Sequence, residues 1–444
     1  MDINYFEKIV EKHSYIDPKL YDSLDIKRGL RNKNGTGVLV GITKVADVKG
    51  YEMKDGEKTP CEGELFYRGY SVSDLLNDSE DKQNFAFEEA SYLLLFSELP
   101  SDVELELYKE VLNHNCFLPP HYLERVLLAP SSANLMNKLQ ICVLSLYGYD
   151  QDPDATDVKS LVNKSLELIS KMPLLLAYSY AAKVHYLDKK SLHIHNPKKE
   201  YSTAENILHM IRASQEFTDL EAKVLDRIMV VHADHGGGNN SAFATHVVSS
   251  SGTDIYSSMA AAIGSLKGPR HGGANIKVSA MLEDIQKNVP NWEKKGLLKD
   301  YLGKILNKEV FDRSGLIYGL GHAVYTKSDP RALLLKSGAK KLAKETKMEE
   351  GLALIQAVEE IGGQILQEKR KTTYPIPANL DLYSGYIYKM LKIPEELYTP
   401  LFALSRSSGW AAHLIEQSMD DKLIRPAYVP LHQKRTYLPM KNRK

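Results

Sequence analysis

From Asp74 to its end the chain repeats one pattern: apolar residues at i, i+3 and i+4 over stretches of about 10 to 20 residues, each stopped by a proline or a glycine. FEEASYLLLFSEL (Phe87–Leu99) stops before Pro100, Val103–Leu112 follows, and Ala133–Tyr147 ends at Gly148. Pro173 divides Leu161–Ser170 from Leu174–Val184, since an interior proline lacks an N–H and crowds the carbonyl four residues back. Thr218 and Glu221 have the spacing of a capping box, opening a helix that buries Leu220, Val224, Ile228 and Met229. A chain built this way folds as helix packed on helix. Only the N-terminal part reads differently. Thr36–Tyr51 is rich in Val, Ile and Thr and predicts one or two short strands, with a turn at Asp55-Gly56. Leu65–Tyr70 predicts a further extended piece entering a turn at Gly69. The expected class is all-α with a small N-terminal β element.

With 444 residues there is length for two domains, and no internal repeat divides them. The 57 Lys and Arg balance the 57 Asp and Glu, which excludes the positive excess of a dedicated nucleic-acid or membrane-surface binder. Small anions remain open as ligands, because a few local arginines suffice for them. The longest apolar runs, Pro173–Ala182 and Met259–Gly264, are too short to span a bilayer. Cys61, Cys116 and Cys142 are odd in number and widely spaced, so no disulfide framework or CxxC pair is expected. The opening MDINYFEKIVEKHSYID has no apolar core and carries acids, unlike a signal peptide or presequence. A soluble, cytoplasmic protein is the expectation.

Histidines gather where glycines do. His232, His235 and His246 lie in VVHADHGGGNNSAFATH, His271 in GSLKGPRHGGAN, and His322 in GLIYGLGHAVY. Glycine lets a backbone approach a ligand closely. His271 precedes IKVSAMLEDI, whose expected buried face is Ile276, Ala280 and Ile285, so it is placed at a helix N-terminus. The dipole there disfavours imidazolium, and a neutral ring N–H is suited to stabilising an enol or enolate. A histidine that merely caps its helix is the alternative. Asp381, in YPIPANLDLYSGYIY, reads either as the N-cap of a helix over Tyr383–Leu391 or as a general base held on a loop. His322 alone is equally a turn histidine.

In order along the chain, VHADH, GxxNxS, GPRHGGAN, GLGHAVYxxxDPRA, NLDLYSG, SRSxGWxAHxxEQ and RP closely resemble the citrate synthase family. The likeness extends back to EGELFYRGY and FEEASYLLLFSELPS and covers about residues 60–428. The resemblance implies a two-domain helical fold. Residues 1–269 and 384–444 would form a large domain and 270–383 a small one, closing over oxaloacetate to create the acyl-CoA site. It implies that Asp381 removes a proton from the acyl-CoA methyl group, that His271 hydrogen-bonds the thioester oxygen, and that His322 polarises the oxaloacetate carbonyl. Arg331, Arg406 and Arg425 would hold carboxylates, Arg425 in the neighbouring subunit's site, which makes the active form a homodimer. His235 would bind substrate, with Ser241 and Asn239 supporting His271. Leu316, Tyr318 and Gly319, together with Asn379 and Lys327, would meet CoA. Lys369, Arg370 and Lys371 are phosphate ligands or a solvated charge run. Acetyl-CoA is expected as co-substrate, with no tightly bound cofactor and no metal.

Three positions depart from the family pattern: Gly236 stands where an acid usually follows HxDH, Ala323 gives GHAVY, and Thr326 replaces an arginine that helps hold CoA phosphate. A 2-methylcitrate synthase using propionyl-CoA fits the same residues, since one methylene is worth only about 1–3 kcal/mol in a pocket. A metal-dependent hydrolase built on His232, Asp234, His235 and His271 is the rival from another class, and a non-catalytic helical scaffold a third.

Overall fold

The computed structural model describes residues 3–82, 84–128, 132–420, 422–432 and 434–443. Among these lie seventeen α-helices and one three-stranded antiparallel sheet, ordered β1 (Ala46–Lys54), β2 (Glu57–Tyr67) and β3 (Tyr70–Ser71). The expected all-α class with a small β element is what forms. Asp55 and Gly56 both take positive φ, 52° and 81°, the two-residue turn whose twist suits a hairpin. The strand reading from Thr36 started too early. Residues 38–45 pair with nothing as a strand, and Leu39 and Ile42 are 95% and 96% exposed.

The helix Tyr398–Ser418 is the axis of the core. Eighteen of its residues are buried, Trp410 and Arg406 among them, and it packs on the helices Val158–Tyr186, Asp219–Ala233, Asn240–Ser249 and Phe87–Phe96. The break expected at Pro173 does not occur: Val158–Tyr186 is one helix of 29 residues with Pro173 inside it. Residues on both sides of the proline are buried in the same core, and that packing outweighs one lost backbone bond. The capping box of Thr218 and Glu221 forms as read, and Ser101–Glu104 and Ser202–Glu205 form two more.

A second group of helices comprises Ala274–Asn288, Lys295–Leu306, Pro330–Thr346, Glu349–Arg370 and Leu380–Met390. Leu380–Met390 packs on both Ala274–Asn288 and Pro330–Thr346, so residue 383 lies inside a helix. Ala274–Asn288 buries Asn275, Val278, Met281, Leu282 and Ile285. Of the face expected there only Ile285 is inside, because Ile276 and Ala280 fall on the opposite side of the same helical wheel.

The hairpin grips the loop between Gly321 and Pro330. A Cβ on Gly50 would stand 2.5 Å from the Val324 carbonyl oxygen, and one on Gly63 would collide with the Ser328 carbonyl and come within 2.8 Å of Pro330 Cδ. Backbone therefore meets backbone with no side chain between. Thr326 donates its hydroxyl to the Gly50 carbonyl and accepts the Cys61 N–H at 3.2 Å. The position singled out as a lost phosphate contact thus ties the sheet to this loop.

Candidate active site

The ring of His271 meets the N-terminus of the Asn240–Ser249 helix, while its backbone lies three residues before the start of Ala274–Asn288. Its Nε2 accepts the backbone N–H of Ser241 at 3.2 Å, and Ser241 opens the Asn240–Ser249 helix capped by Asn239. Ser241 Oγ lies 3.1 Å from the same nitrogen, donates to Asn239 Oδ1 at 2.9 Å, and accepts Trp410 Nε1–H at 3.1 Å. An Nε2 that accepts leaves the ring proton on Nδ1. Burial, with the Arg406 charge added, lowers the His271 pKa to about 4. The ring is neutral and offers one donor.

His322 is held by its own loop. Its Nδ1 accepts the N–H groups of Val324 at 3.1 Å and Tyr325 at 3.2 Å, so the ring proton sits on Nε2. Burial and Arg331 lower its pKa to about 4. Nε2 stands 3.4 Å from Arg331 Nη2. Both are donors, a pairing that favours an oxygen acceptor shared between them.

Arg331 is set by Asp329, whose place in the site the sequence did not signal beyond an Asp-Pro helix start. Asp329 caps the Pro330–Thr346 helix, takes Arg331 Nε at 3.0 Å and Nη2 at 2.7 Å, and accepts the Leu380 N–H at 3.3 Å. Burial opposes the charge on Arg331, but the Asp329 carboxylate outweighs it and raises the pKa. One buried carboxylate thereby orients a guanidinium and the start of the Leu380–Met390 helix.

That helix carries Asp381, and Asp381 is not its cap. Asn379 is, accepting the Asp381 N–H at 3.0 Å, so the Asp381 carboxylate is released from capping. Burial raises its pKa to about 6, with Arg331 opposing and Asp329 adding to the shift. Near neutral pH it is a base.

His235 completes the cluster. Its ring centre lies 5.1 Å from that of His322 and 5.5 Å from Tyr325, and its Nε2 is buried without a hydrogen-bond partner among the described residues. Burial, Arg331 and His322 keep it neutral. Arg406 is fully buried, donates Nε to the His232 carbonyl at 2.6 Å, and lies over the Phe402 ring. The charges of Arg406 and Arg331 act on one another, and both act on His235; Arg406 reaches His271, and Arg331 reaches Asp381. His322 stands against His235 and Arg331, and the charges of Arg331 and Arg406 link Asp381 and His271 to them. Tyr325 also belongs here: its ring stands against both His235 and His322 and under the Arg331 guanidinium, and its hydroxyl is buried and unpartnered among the described residues. Arg425 does not join them. It lies exposed in the extended tail beyond Ser418 of its own chain.

Of the residues expected at CoA, Gly319 takes φ 84° and its carbonyl accepts the Asn379 N–H at 2.8 Å. Asn379 Nδ2 donates to the Gly321 carbonyl at 2.8 Å. Leu316 and Lys327 are exposed, and Tyr318 donates its hydroxyl to Asp312 at 2.7 Å. Of the 369–371 run, the Arg370 guanidinium lies 3.5 Å from where a Cβ on Gly321 would stand. Gly236 takes φ 73° and gives its N–H to Asp234 at 2.8 Å, a conformation that suits glycine. His232, Asp234, His235 and His271 do not bring three donor atoms within 4.8 Å of one another among the described residues.

Residues 33–427 match the family model described as "Citrate synthase, C-terminal domain". A citrate synthase of Haloferax volcanii is 33% identical over 406 residues, 90% of this chain and 94% of that protein. A Bacillus subtilis protein named citrate/2-methylcitrate synthase is 34% identical over 364 residues, 82% of this chain and 89% of its own. A solved Thermoplasma acidophilum citrate synthase, in ternary complex with carboxymethyl coenzyme A and oxaloacetate, superposes with a TM-score of 0.76 at 25% identity, covering 94% of this chain and 99% of that one.

Proposed function

The chain belongs to the citrate synthase family and is an acyltransferase of that type, and from this premise we propose that it joins the methyl carbon of acetyl-CoA to the ketone carbon of oxaloacetate. The observation that carries the reading is the protonation pattern. One carboxyl group has a pKa of about 6, and the same set of residues includes two imidazoles, each held neutral with a single assigned N–H.

A thioester α-carbon is a very weak acid, so the base acts only if the developing oxyanion is stabilised at the same moment. Asp381 takes the methyl proton. His271 gives its Nδ1–H to the thioester oxygen as the enol forms. His322 Nε2–H and Arg331 Nη2, 3.4 Å apart, meet the oxaloacetate carbonyl and a neighbouring carboxylate oxygen. Arg331, Arg406 and His235 hold the dicarboxylate on this chain, and Arg425 of a second copy supplies the remaining guanidinium, so the working form is a homodimer. The enol carbon then attacks the polarised ketone, and water cleaves the resulting thioester to release CoA. CoA lies along Leu316, Tyr318 and Gly319, with Lys327 at its phosphates. Asn379 acts behind that surface, since both ends of its amide are engaged within the protein.

No described helix is long and apolar enough to cross a membrane, and all three cysteines are free, which supports a reducing cytoplasm as its place. The test is release of free thiol from acetyl-CoA, expected only when oxaloacetate is present. Thiol release without oxaloacetate, or a higher kcat/KM with propionyl-CoA, would replace this reading with a thioesterase or a 2-methylcitrate synthase.

A further inference from the structure

Beneath the loop that carries His235 lies a second cluster that the condensation chemistry does not use. His246 comes from the Asn240–Ser249 helix, while His413 and Glu416 share one face of the Tyr398–Ser418 helix, three residues apart. His246 Nε2 is 3.3 Å from His413 Nδ1, His413 Nδ1 is 3.9 Å from Glu416 Oε2, and all three atoms lie within 4.8 Å of one another.

The outer atom of each group is already engaged. His413 Nε2 faces Asp234 Oδ2 at 3.3 Å, His246 Nδ1 faces Gln417 Oε1 at 3.0 Å, and Glu416 Oε1 accepts the Lys44 N–H at 2.6 Å. A ring nitrogen facing a carboxylate or an amide oxygen carries the proton, so the opposite nitrogen presents a lone pair. Two nitrogen lone pairs and one carboxylate oxygen therefore point at a single place. Glu416 Oε2 is buried with no hydrogen-bond partner among the described residues. Without a cation these atoms repel one another.

We propose that His246, His413 and Glu416 form a structural site for one divalent transition metal ion, with Zn2+ the best fit. Tetrahedral Zn2+ with ligands at about 2.0–2.1 Å sets its donor atoms about 3.3 Å apart, the spacing of the two ring nitrogens, and the carboxylate needs only a small rotation to match. Asp234 on His413 and Gln417 on His246 are the outer hydrogen bonds that orient metal-bound imidazoles. The carboxylates of Glu416 and Asp234 balance the charge of a dication. Gly237 passes over the pair, where a Cβ would stand 3.2 Å from His246 Nε2, and its missing side chain leaves room for a water as fourth ligand. Such an ion would pin the loop carrying Asp234 and His235 to two helices of the core.

The site is tested on the full-length chain after chelator treatment, titrated with Zn2+ against a chromogenic chelator and separately with Co2+. One Zn2+ per chain is expected with a Tm rise of several degrees, and the Co2+ form should show the intense visible bands of tetrahedral nitrogen and oxygen coordination. His246→Gln and Glu416→Gln should each lose at least tenfold in Zn2+ affinity while the metal-free Tm stays close to that of the wild type. Two such variants at partly exposed positions guard against a folding failure at buried His413. No uptake by the wild type at micromolar free Zn2+, uptake unchanged in both variants, or no visible Co2+ spectrum would overturn the site. In that case the Gln417 amide is turned over and a proton joins the two rings.

Discussion

Asn379 Oδ1 accepts the backbone N–H of Asp381 at 3.0 Å, and the other end of the same amide donates to the Gly321 carbonyl at 2.8 Å. One side chain thus joins the helix that bears the base to the loop that bears His322. It also explains why Asp381 is free for chemistry, since the capping role that an aspartate at a helix start normally fills is taken by its neighbour. Replacing Asn379 by Ala should cost about 1 kcal/mol for the cap and lower kcat at least about tenfold through the misplaced base. Asn379→Asp, which keeps the cap but not the donor to Gly321, should recover Tm more than kcat. Steady-state kinetics beside a melting curve reads both, and equal recovery of the two would undo the assignment.

Asp381→Asn should abolish thiol release while oxaloacetate affinity changes by no more than a few-fold, as isothermal titration would measure. The same variant should melt higher than the wild type, because burial already opposes the charge it removes. Loss of oxaloacetate binding in parallel with activity would mean that Asp381 binds rather than abstracts.

The pH profile follows from the same group. With its pKa raised from 3.8 to about 6, Asp381 is an active base above about pH 6, and kcat should fall about tenfold per unit below it. His271 and His322, both near 4, stay neutral across this range and add no second limb until the solution is much more acidic. For stability the sign is opposite. The folded state holds this proton more tightly than the unfolded one, so the contribution is complete below pH 3.8 and is lost as pH rises through about 6. A kcat that is flat down to pH 5 would exclude Asp381 as the base.

Gly63→Ala should impair catalysis from outside the site. The new Cβ would clash with the Ser328 carbonyl and approach Pro330 Cδ at 2.8 Å, pushing on the loop that orients His322 and Arg331. Overpacking of this kind costs about 1–3 kcal/mol. The KM for oxaloacetate should rise at least about fivefold and kcat should fall with it. Unchanged kinetics would show that the hairpin does not position the loop.

Arg425→Ala should weaken oxaloacetate binding by removing a carboxylate partner. Because Arg425 lies outside the cleft of its own chain, an inactive Asp381→Asn chain mixed with an Arg425→Ala chain should regain activity. In a randomly reassorted homodimer population roughly one quarter of the sites are then complete. No recovery after dissociation and remixing would remove Arg425 from the neighbouring site.

Much of the fold was legible because its signals are local. The Thr218–Glu221 box and the turn at Asp55-Gly56 each depend on a few adjacent residues. The helices expected to stop at Pro100 and Gly148 end earlier, at Phe96 with Ser97 in positive φ and at Ser145 before a 3-10 turn that contains Gly148. Pro173 was misread for the opposite reason: its effect depends on what packs against the helix from elsewhere. The strand start at Thr36 and the face holding Ile276 and Ala280 failed likewise, since a partner edge and a buried side are not properties of one segment.

The site divides in the same way. Residue order alone, through the motifs from VHADH to RP, selected His235, His271, His322, Asp381 and the arginines. Their protonation was decided only by tertiary structure. His271 takes its acceptor role from the N–H of Ser241, thirty residues away, and the carboxylate of Asp329 that holds Arg331 also accepts the N–H of Leu380, fifty-one residues from Asp329. Side-chain identity is written in the chain, whereas desolvation, tautomer and shared hydrogen bonds arise when distant segments exclude water from one another.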